Sequence, residues 1–233
     1  MPSHNGMREI SVSSSIQRRD LMRVGAGATL ATLAQTSVRQ AKAQDNKAQV
    51  LAGATGAFDD GTVRQIAKRL ASAPYKGPDQ SLPKAIENLN FDQYRGIAYR
   101  EDRALWHSDN LAFDVEFFPR GFLYKPRIEI FEVNDGQSAA VPYSSDLFTY
   151  SDPALEVQQD LGFAGLRLRT AINTPGVMEE FCVFLGASYF RAVAKGQNYG
   201  LSARGFANGP GDPKGEEFAL FRAFWLEKPQ PNG

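Results

Sequence analysis

One cysteine, Cys182, in 233 residues leaves no partner for an intramolecular disulfide. It lies in the apolar run "FCVFLG", where it reads as a small buried hydrophobe and not as a nucleophile. Histidine is almost as scarce, with His4 and His107 alone, too few for a histidine-rich zinc site. No glycine cluster precedes a helix pattern, so there is no phosphate-binding loop. No apolar run reaches the roughly 18 residues a membrane helix needs. Excess positive charge is missing as well. The formal net charge is zero, and residues 1–43 hold six of the 26 cations but only two of the 26 acids. The remainder carries 20 basic against 24 acidic residues, a net of −4, which argues against nucleic acid as a partner. Any chemistry here falls to carboxylates, hydroxyls and amides, and no metal or cofactor is expected.

What is present begins with a targeting pattern. Arg18-Arg19 precede a short Gly/Ala-rich apolar run from Val24 to Ala34, and Ala41-Lys42-Ala43 supplies a small-residue cleavage site. The paired arginines with Leu21 and Met22 close behind resemble a twin-arginine signal. The expectation is export to the periplasm by the twin-arginine machinery, cleavage by signal peptidase near Ala43, and a mature chain from Gln44. This divides the chain into a signal over 1–43, a linker and helical lead-in over 44–90, and a β domain over 91–233.

Within the lead-in, Val63, Ile66, Ala67 and Leu70 recur at helical spacing, with Asp60 or Thr62 as candidate caps and Pro74 as a stop. "SLPKAIENL" allows one or two further turns. From Phe91 the period changes to two. "LAFDVEFF" sets Leu111, Phe113, Val115 and Phe117 against Ala112, Asp114, Glu116 and Phe118. "RIEIFEV" then runs into Asn134-Asp135-Gly136, a strong hairpin turn. "FAGLRLRTAI", "EEFCVFLGASYFRAV", "YGLSARGFA" and "FALFRAFWLEK" continue the series. No helix alternates with these strands, which excludes a doubly wound α/β fold. The expected class is all-β, an antiparallel β-sandwich of about seven or eight strands.

The stretch Phe184–Gly205, "FLGASYFRAVAKGQNYGLSARG", concentrates aromatic, cationic and amide side chains in what reads as two strands and a turn. Alternation puts Phe184, Gly186, Ser188 and Phe190 on one face and Leu185, Ala187, Tyr189 and Arg191 on the other. Exposed rings stack on the C–H face of a pyranose, while Arg, Gln and Ser reach its hydroxyls. Tyr189, Arg191, Gln197, Tyr199, Ser202 and Arg204 are therefore the candidate sugar-binding residues. The same composition also fits core tyrosines with arginines snorkelling to solvent.

Several long motifs, in order, carry a resemblance: "YRGIAYREDRALW", "FFPRGFLYKPRIEIFEV", "PYSSDLFTY", "DLGFAGLRLR", the Phe184–Gly205 stretch and "GEEFALFRAFWLEKP". Together they resemble the N-terminal half of the periplasmic glucan biosynthesis proteins of the G/D type. The twin-arginine pattern favours the D branch. The resemblance implies the N-terminal portion of a large sandwich similar to the galactose mutarotase group, with a substrate cleft. It also implies a role in osmoregulated periplasmic glucans, whose backbone is β-1,2-linked glucose; some D-type relatives are inverting hydrolases or transglycosylases. Family members run to roughly twice this length, and the acid and base carboxylates the resemblance implies fall beyond Gly233. Inversion needs two carboxyls roughly 6.5–9.5 Å apart. Asp146, Glu179, Glu180, Glu216 and Glu217 are candidate acids, but edge and turn roles account for them equally well, and none is assigned to catalysis. Three readings follow: one half of a glucan-remodelling enzyme, a non-catalytic glucan-binding accessory protein, or an inactive fragment with exposed strand edges prone to aggregation.

Overall fold

The computed structural model describes residue 51 and residues 53–231, so the expected export signal lies outside the described residues. Helix α1 (Thr62–Ala71) forms where the periodicity places it, but its start is fixed differently. Gly61 occupies the cap, and the preceding Asp59 carboxylate accepts from Gly61 N (2.9 Å) and from the Thr62 hydroxyl (2.9 Å). Those bonds, the Thr62 hydroxyl first, hold the Asp59 carboxyl below its usual range. Only Ile66 of the apolar stripe is buried.

Two short helices follow, α2 (Lys84–Glu87) and α3 (Phe91–Arg95). The second corrects the expectation that strand periodicity starts at Phe91. Asn90 accepts from Gln93 N (2.9 Å) while the Gln93 side chain accepts from Asn90 N (3.0 Å), and this reciprocal cap nucleates a turn. Ile86, Leu89 and Tyr94 from this region enter the main apolar cluster.

The rest is mostly β. One sheet has the order β1-β5-β4-β11, with β1 (Gly56–Ala57), β5 (Gln137–Ala140), β4 (Glu129–Asn134) and β11 (Ala223–Glu227). The second runs β10-β9-β8-β7-β3: β10 (Ala203–Arg204), β9 (Tyr189–Ala192), β8 (Glu179–Leu185), β7 (Phe163–Thr170) and β3 (Phe113–Pro119). A small pair joins β2 (Ile97–Tyr99) to β6 (Phe148–Tyr150). The β4–β5 hairpin closes through Asp135 (φ 49°) and Gly136 (φ 69°), two left-handed residues whose twist suits a two-residue turn.

Among the described residues, strand pairing is antiparallel except in one place. β11 runs parallel to β4, from Ala223 opposite Glu129 to Glu227 opposite Val133, which corrects the all-antiparallel expectation. The chain leaves β4, passes through β5 and β6, adds β7 to β10 beside β3, and re-enters next to β4 in the same direction; no local period records such a long crossover. Rings tie the two sheets together. Phe184 of β8 lies 5.2 Å from Phe224 of β11, centroid to centroid, while Phe117 of β3 and Phe163 of β7, at 4.6 Å, pack within one sheet. Val115, Phe117 and Leu166 form the buried face of the β3–β7 ladder, with Ile128 and Ile130 in the same cluster.

Candidate functional site

The other face of the five-stranded sheet is charged, and its centre is also buried. On β3, Asp114 and Glu116 alternate with Val115 and Phe117; on β7, Arg167 and Arg169 alternate with Leu166 and Leu168. The antiparallel register sets Asp114 opposite Arg169 and Glu116 opposite Arg167. Asp114 is 2 % exposed and Glu116 1 %, so the cost of desolvating them has to be offset by charged hydrogen-bond partners. Arg169 grips Asp114 in a two-pronged pair, Nε–Oδ1 2.8 Å and Nη2–Oδ2 2.8 Å, and reaches Glu116 Oε1 at 2.7 Å and Glu101 at 3.1 Å. Burial alone would lower the Arg169 pKa, yet the surrounding carboxylates raise it. Arg167 donates to Glu116 Oε2 from Nε (2.7 Å) and from Nη2, while its Nη1 stands 3.5 Å from Glu180. His107 Nδ1 lies 3.7 Å from Asp114 at the lattice's outer end.

Above this lattice a groove opens. One half, about 340 Å³, is walled by Phe91, Tyr94, Arg95, Phe122 and Tyr124, with Arg167 in its lining. The other, about 390 Å³, is bounded by Glu180, Val183, Tyr189, Arg191 and Ser202. Phe118, Tyr124 and Leu185 line both halves, so they form one trough across the sheet. Gly165 sits opposite both Phe118 and Leu185 in register, and a Cβ there would stand 2.2 Å from Phe184 O; the close strand approach requires glycine.

The aromatic wall is built from "RGFLY". Arg120 is buried and donates to Lys125 O (2.7 Å), Leu161 O (2.8 Å) and Asp79 O (2.8 Å), pinning the turn's base. Gly121 (φ 140°) and Phe122 (φ 51°) then carry the chain through conformations costly for an L-residue such as Phe122. The outcome sets the Phe122 ring, tilted, 6.1 Å from Phe91 and Tyr124 5.5 Å from Tyr94. The Arg95 guanidinium lies 5.5 Å from the Phe91 ring centre. Tyr94 donates to Pro119 O (3.1 Å), and burial holds its phenol above the ordinary range. Tyr99, also in the lining, is raised first by burial and then by the Glu116 charge.

The Phe184–Gly205 stretch is a hairpin tighter than expected. β8 ends at Leu185 and β9 begins at Tyr189, with Gly186 (φ 76°) and Ala187 (φ 43°) in the turn. Phe184 and Phe190 stack at 5.7 Å, and Phe190 joins Leu185, Tyr189 and Arg191 in lining the groove. Of the six candidate residues, Tyr189, Arg191 and Ser202 belong to the lining. Tyr199 supports it from beside: its ring lies 5.3 Å from the Arg191 guanidinium and its hydroxyl donates to Glu180 O (3.2 Å). Arg204 lies opposite Tyr189 in register but pairs with Glu216. Gln197 sits in an exposed turn, its backbone N–H bonded to Ala194 O, and is absent from the lining.

The candidate acids separate in the same way. Asp146 is exposed and pairs with Arg103 at 3.4 Å. Glu179 closes a turn, accepting from Asn173 N (2.9 Å) and Thr174 N (3.3 Å), and the first of these does most to lower its pKa. Glu217 accepts from Asn208 (2.9 Å). Glu180 alone of the five stands in the groove. Sequence reasoning missed Arg167, Phe118, Phe122, Tyr124 and Phe91. The readable signal was D-x-E in one strand and R-x-R in another, complementary charges at the same period of two.

Residues 58–233 match the family model described as "Periplasmic glucan biosynthesis protein, MdoG". The chain belongs to that family. It is 47% identical over 218 residues to "Glucans biosynthesis protein G" of Bradyrhizobium diazoefficiens, covering 93% of this chain and 41% of that relative. It is 53% identical over 176 residues to the protein of the same name from Rhodopseudomonas palustris strain BisA53, over 75% of this chain and 35% of the relative. The Vibrio cholerae protein of that name is 42% identical over 195 residues, covering 83% of this chain and 36% of the relative. This chain thus spans about two fifths of the length of the curated relatives it matches. These relatives are named as the G type, and the preference for the D branch, drawn from the paired arginines, finds no support among them.

Proposed function

We propose that this chain is the N-terminal, glucan-handling part of a periplasmic protein of osmoregulated glucan biosynthesis, and that its groove binds the β-1,2-linked glucose backbone. The observation that carries this reading is the trough itself: aromatic rings at one end, Arg167 and Glu180 at its middle, and Tyr189, Arg191 and Ser202 at the other. Apolar rings cover pyranose faces while the charged groups bond hydroxyls along the polymer. Two stacked sheets joined through Phe184 and Phe224 suit the large sandwich expected of the family. Export through the twin-arginine route, with cleavage near Ala43, rests on Arg18-Arg19, the apolar run and Ala41-Lys42-Ala43. The domain over 91–233 then acts in the periplasm behind the lead-in over 44–90.

A remodelling role belongs to the full-length form. Among the described residues the groove lining contains one carboxylate, Glu180, and inversion of a glycosidic bond uses two. That observation favours a binding role for this segment, the accessory reading, with cleavage or transfer requiring carboxylates supplied by the longer protein. Calorimetric titration with linear β-1,2-glucan, followed by product sizing, tests it. Saturable binding without shortened or cyclised products is the expected result. No binding would remove the reading, and turnover by this chain alone would overturn the division of labour.

A further inference from the structure

We infer that Arg167, held in place by the buried Glu116, is the residue that reads sugar hydroxyls at the point where the two halves of the groove meet. The inference rests on the glucan-binding reading of that groove.

A structural ion pair needs no opening to solvent. Arg169 holds Glu116 Oε1 at 2.7 Å and also covers Asp114, whereas Glu116 Oε2 is held by Arg167. Arg167 differs from Arg169 in exposure: its side chain is 33% exposed against 7%. Its Nε and Nη2 are committed to Glu116 Oε2, and its Nη1 has only the long 3.5 Å contact with Glu180. A guanidinium carries five N–H donors in a fixed plane. Two are thus spent on anchoring, and the remainder are held in one orientation at the groove.

The position is as informative as the donors. The guanidinium carbon lies 5.7 Å from the Phe118 ring centre, and Phe118 is one of the three residues shared by both halves of the trough. A pyranose resting on Phe118 therefore meets an oriented donor pair beside an apolar platform.

The lining offers donors and an acceptor together. Arg95, Arg167 and Arg191 share the trough with one carboxylate, Glu180, and the buried Glu116 pairs with Arg167 from beneath. Sugar hydroxyls, which both donate and accept, find partners of both kinds there. Fixing a guanidinium through a buried carboxylate lowers the conformational cost of each bond it then makes to ligand. Glu116 is accordingly a positioning residue, acting on the ligand through Arg167.

The test uses the full chain and a linear β-1,2-gluco-oligosaccharide, read by calorimetry. Arg167→Lys keeps the charge but loses the fork, and is expected to weaken binding about 10- to 100-fold, the range for a lost charged hydrogen bond. Glu116→Gln is expected to weaken it in the same direction, and the double variant is expected to fall no further than Arg167→Lys alone. Val115→Ala, on the opposite face of the same strand, controls for stability and should bind as the parent does. Should Glu116→Gln fail to fold, Arg167→Lys carries the test by itself. A folded Arg167→Lys with parental affinity overturns the inference and leaves the groove reading intact. An unmodified chain that binds no oligosaccharide overturns both.

Discussion

The two faces of the β3–β7 ladder are made by alternate residues of the same strands, and both are sealed from water. On one side Val115 is 0% exposed and Phe117 2%; on the other Asp114 is 2% exposed and Glu116 1%. The apolar face follows from hydrophobic burial. The charged face does not, because desolvating two carboxylates costs several kcal/mol per ion before the arginines offset it. A sheet that only had to be stable would be served as well by apolar residues on both sides. The difference teaches that the charged face is shaped for what lies above it, a trough with one guanidinium left available.

That contrast can be broken at several points. The largest effects come from truncating either face. Phe117→Ala should destabilise by about 3–5 kcal/mol through an unfilled cavity. Glu116→Ala should cost about the same for a different reason, because it strips Arg167 of its anchor and leaves Arg169 short of a partner. Urea titration compares the two, and Glu116→Ala should also abolish glucan binding. A Glu116→Ala protein as stable as the parent would contradict the account of the lattice.

Gly165→Val should come next, at about 1–3 kcal/mol or more, because its new atoms meet Phe184 O from the neighbouring strand. Thermal melting checks this, and an unchanged midpoint would show that β7 and β8 can separate locally.

A smaller, graded effect should appear at alkaline pH. Tyr94, Tyr99 and Tyr143 all have phenol pKa values raised above the ordinary 10.0, in each case chiefly by burial. The unfolded chain releases these protons near pH 10 while the folded chain keeps them. Their contribution is therefore complete below pH 10 and is lost as pH rises through the folded values. Melting temperature should fall progressively above about pH 10; a flat profile there would place the rings in contact with water.

Arg191→Ala should have the smallest effect on stability, within about 1 kcal/mol, since it removes only an exposed stacking contact with Tyr199. Oligosaccharide affinity should nonetheless drop measurably. Equal affinity would confine the ligand to the Phe118–Phe122 half of the trough.

The sequence made some of this legible and hid the rest. Asp135-Gly136 announced its turn because two consecutive left-handed residues restrict the choice of side chain. Alternation set Tyr189 and Arg191 on one face, and both line the groove, but Phe190 lines it too and a turn at Gly186-Ala187 interrupts the expected strand. Helix α3 was missed because its signal is a side-chain cap, Asn90 with Gln93, inside a window too short for periodicity to register. The parallel partner of β4 lies 94 residues further along, Glu129 to Ala223, and pairing over that distance leaves no local trace. The charge lattice was hidden for a related reason. Asp114 and Glu116 read as polar positions of an alternating strand until the register of β7 set Arg167 and Arg169 across from them. Tryptophan emission is a poor reporter of the site, since Trp225 stacks on Phe131 in the other sheet and Trp106 bonds Glu132 of β4.

Amide hydrogen exchange with and without linear β-1,2-glucan probes the groove most directly. The expected result is slowed exchange over Phe118–Tyr124 and Glu180–Arg191, with β4, β5 and β11 unchanged. Protection confined to the four-stranded sheet, or none at saturating glucan, would contradict a ligand lying on the charged face.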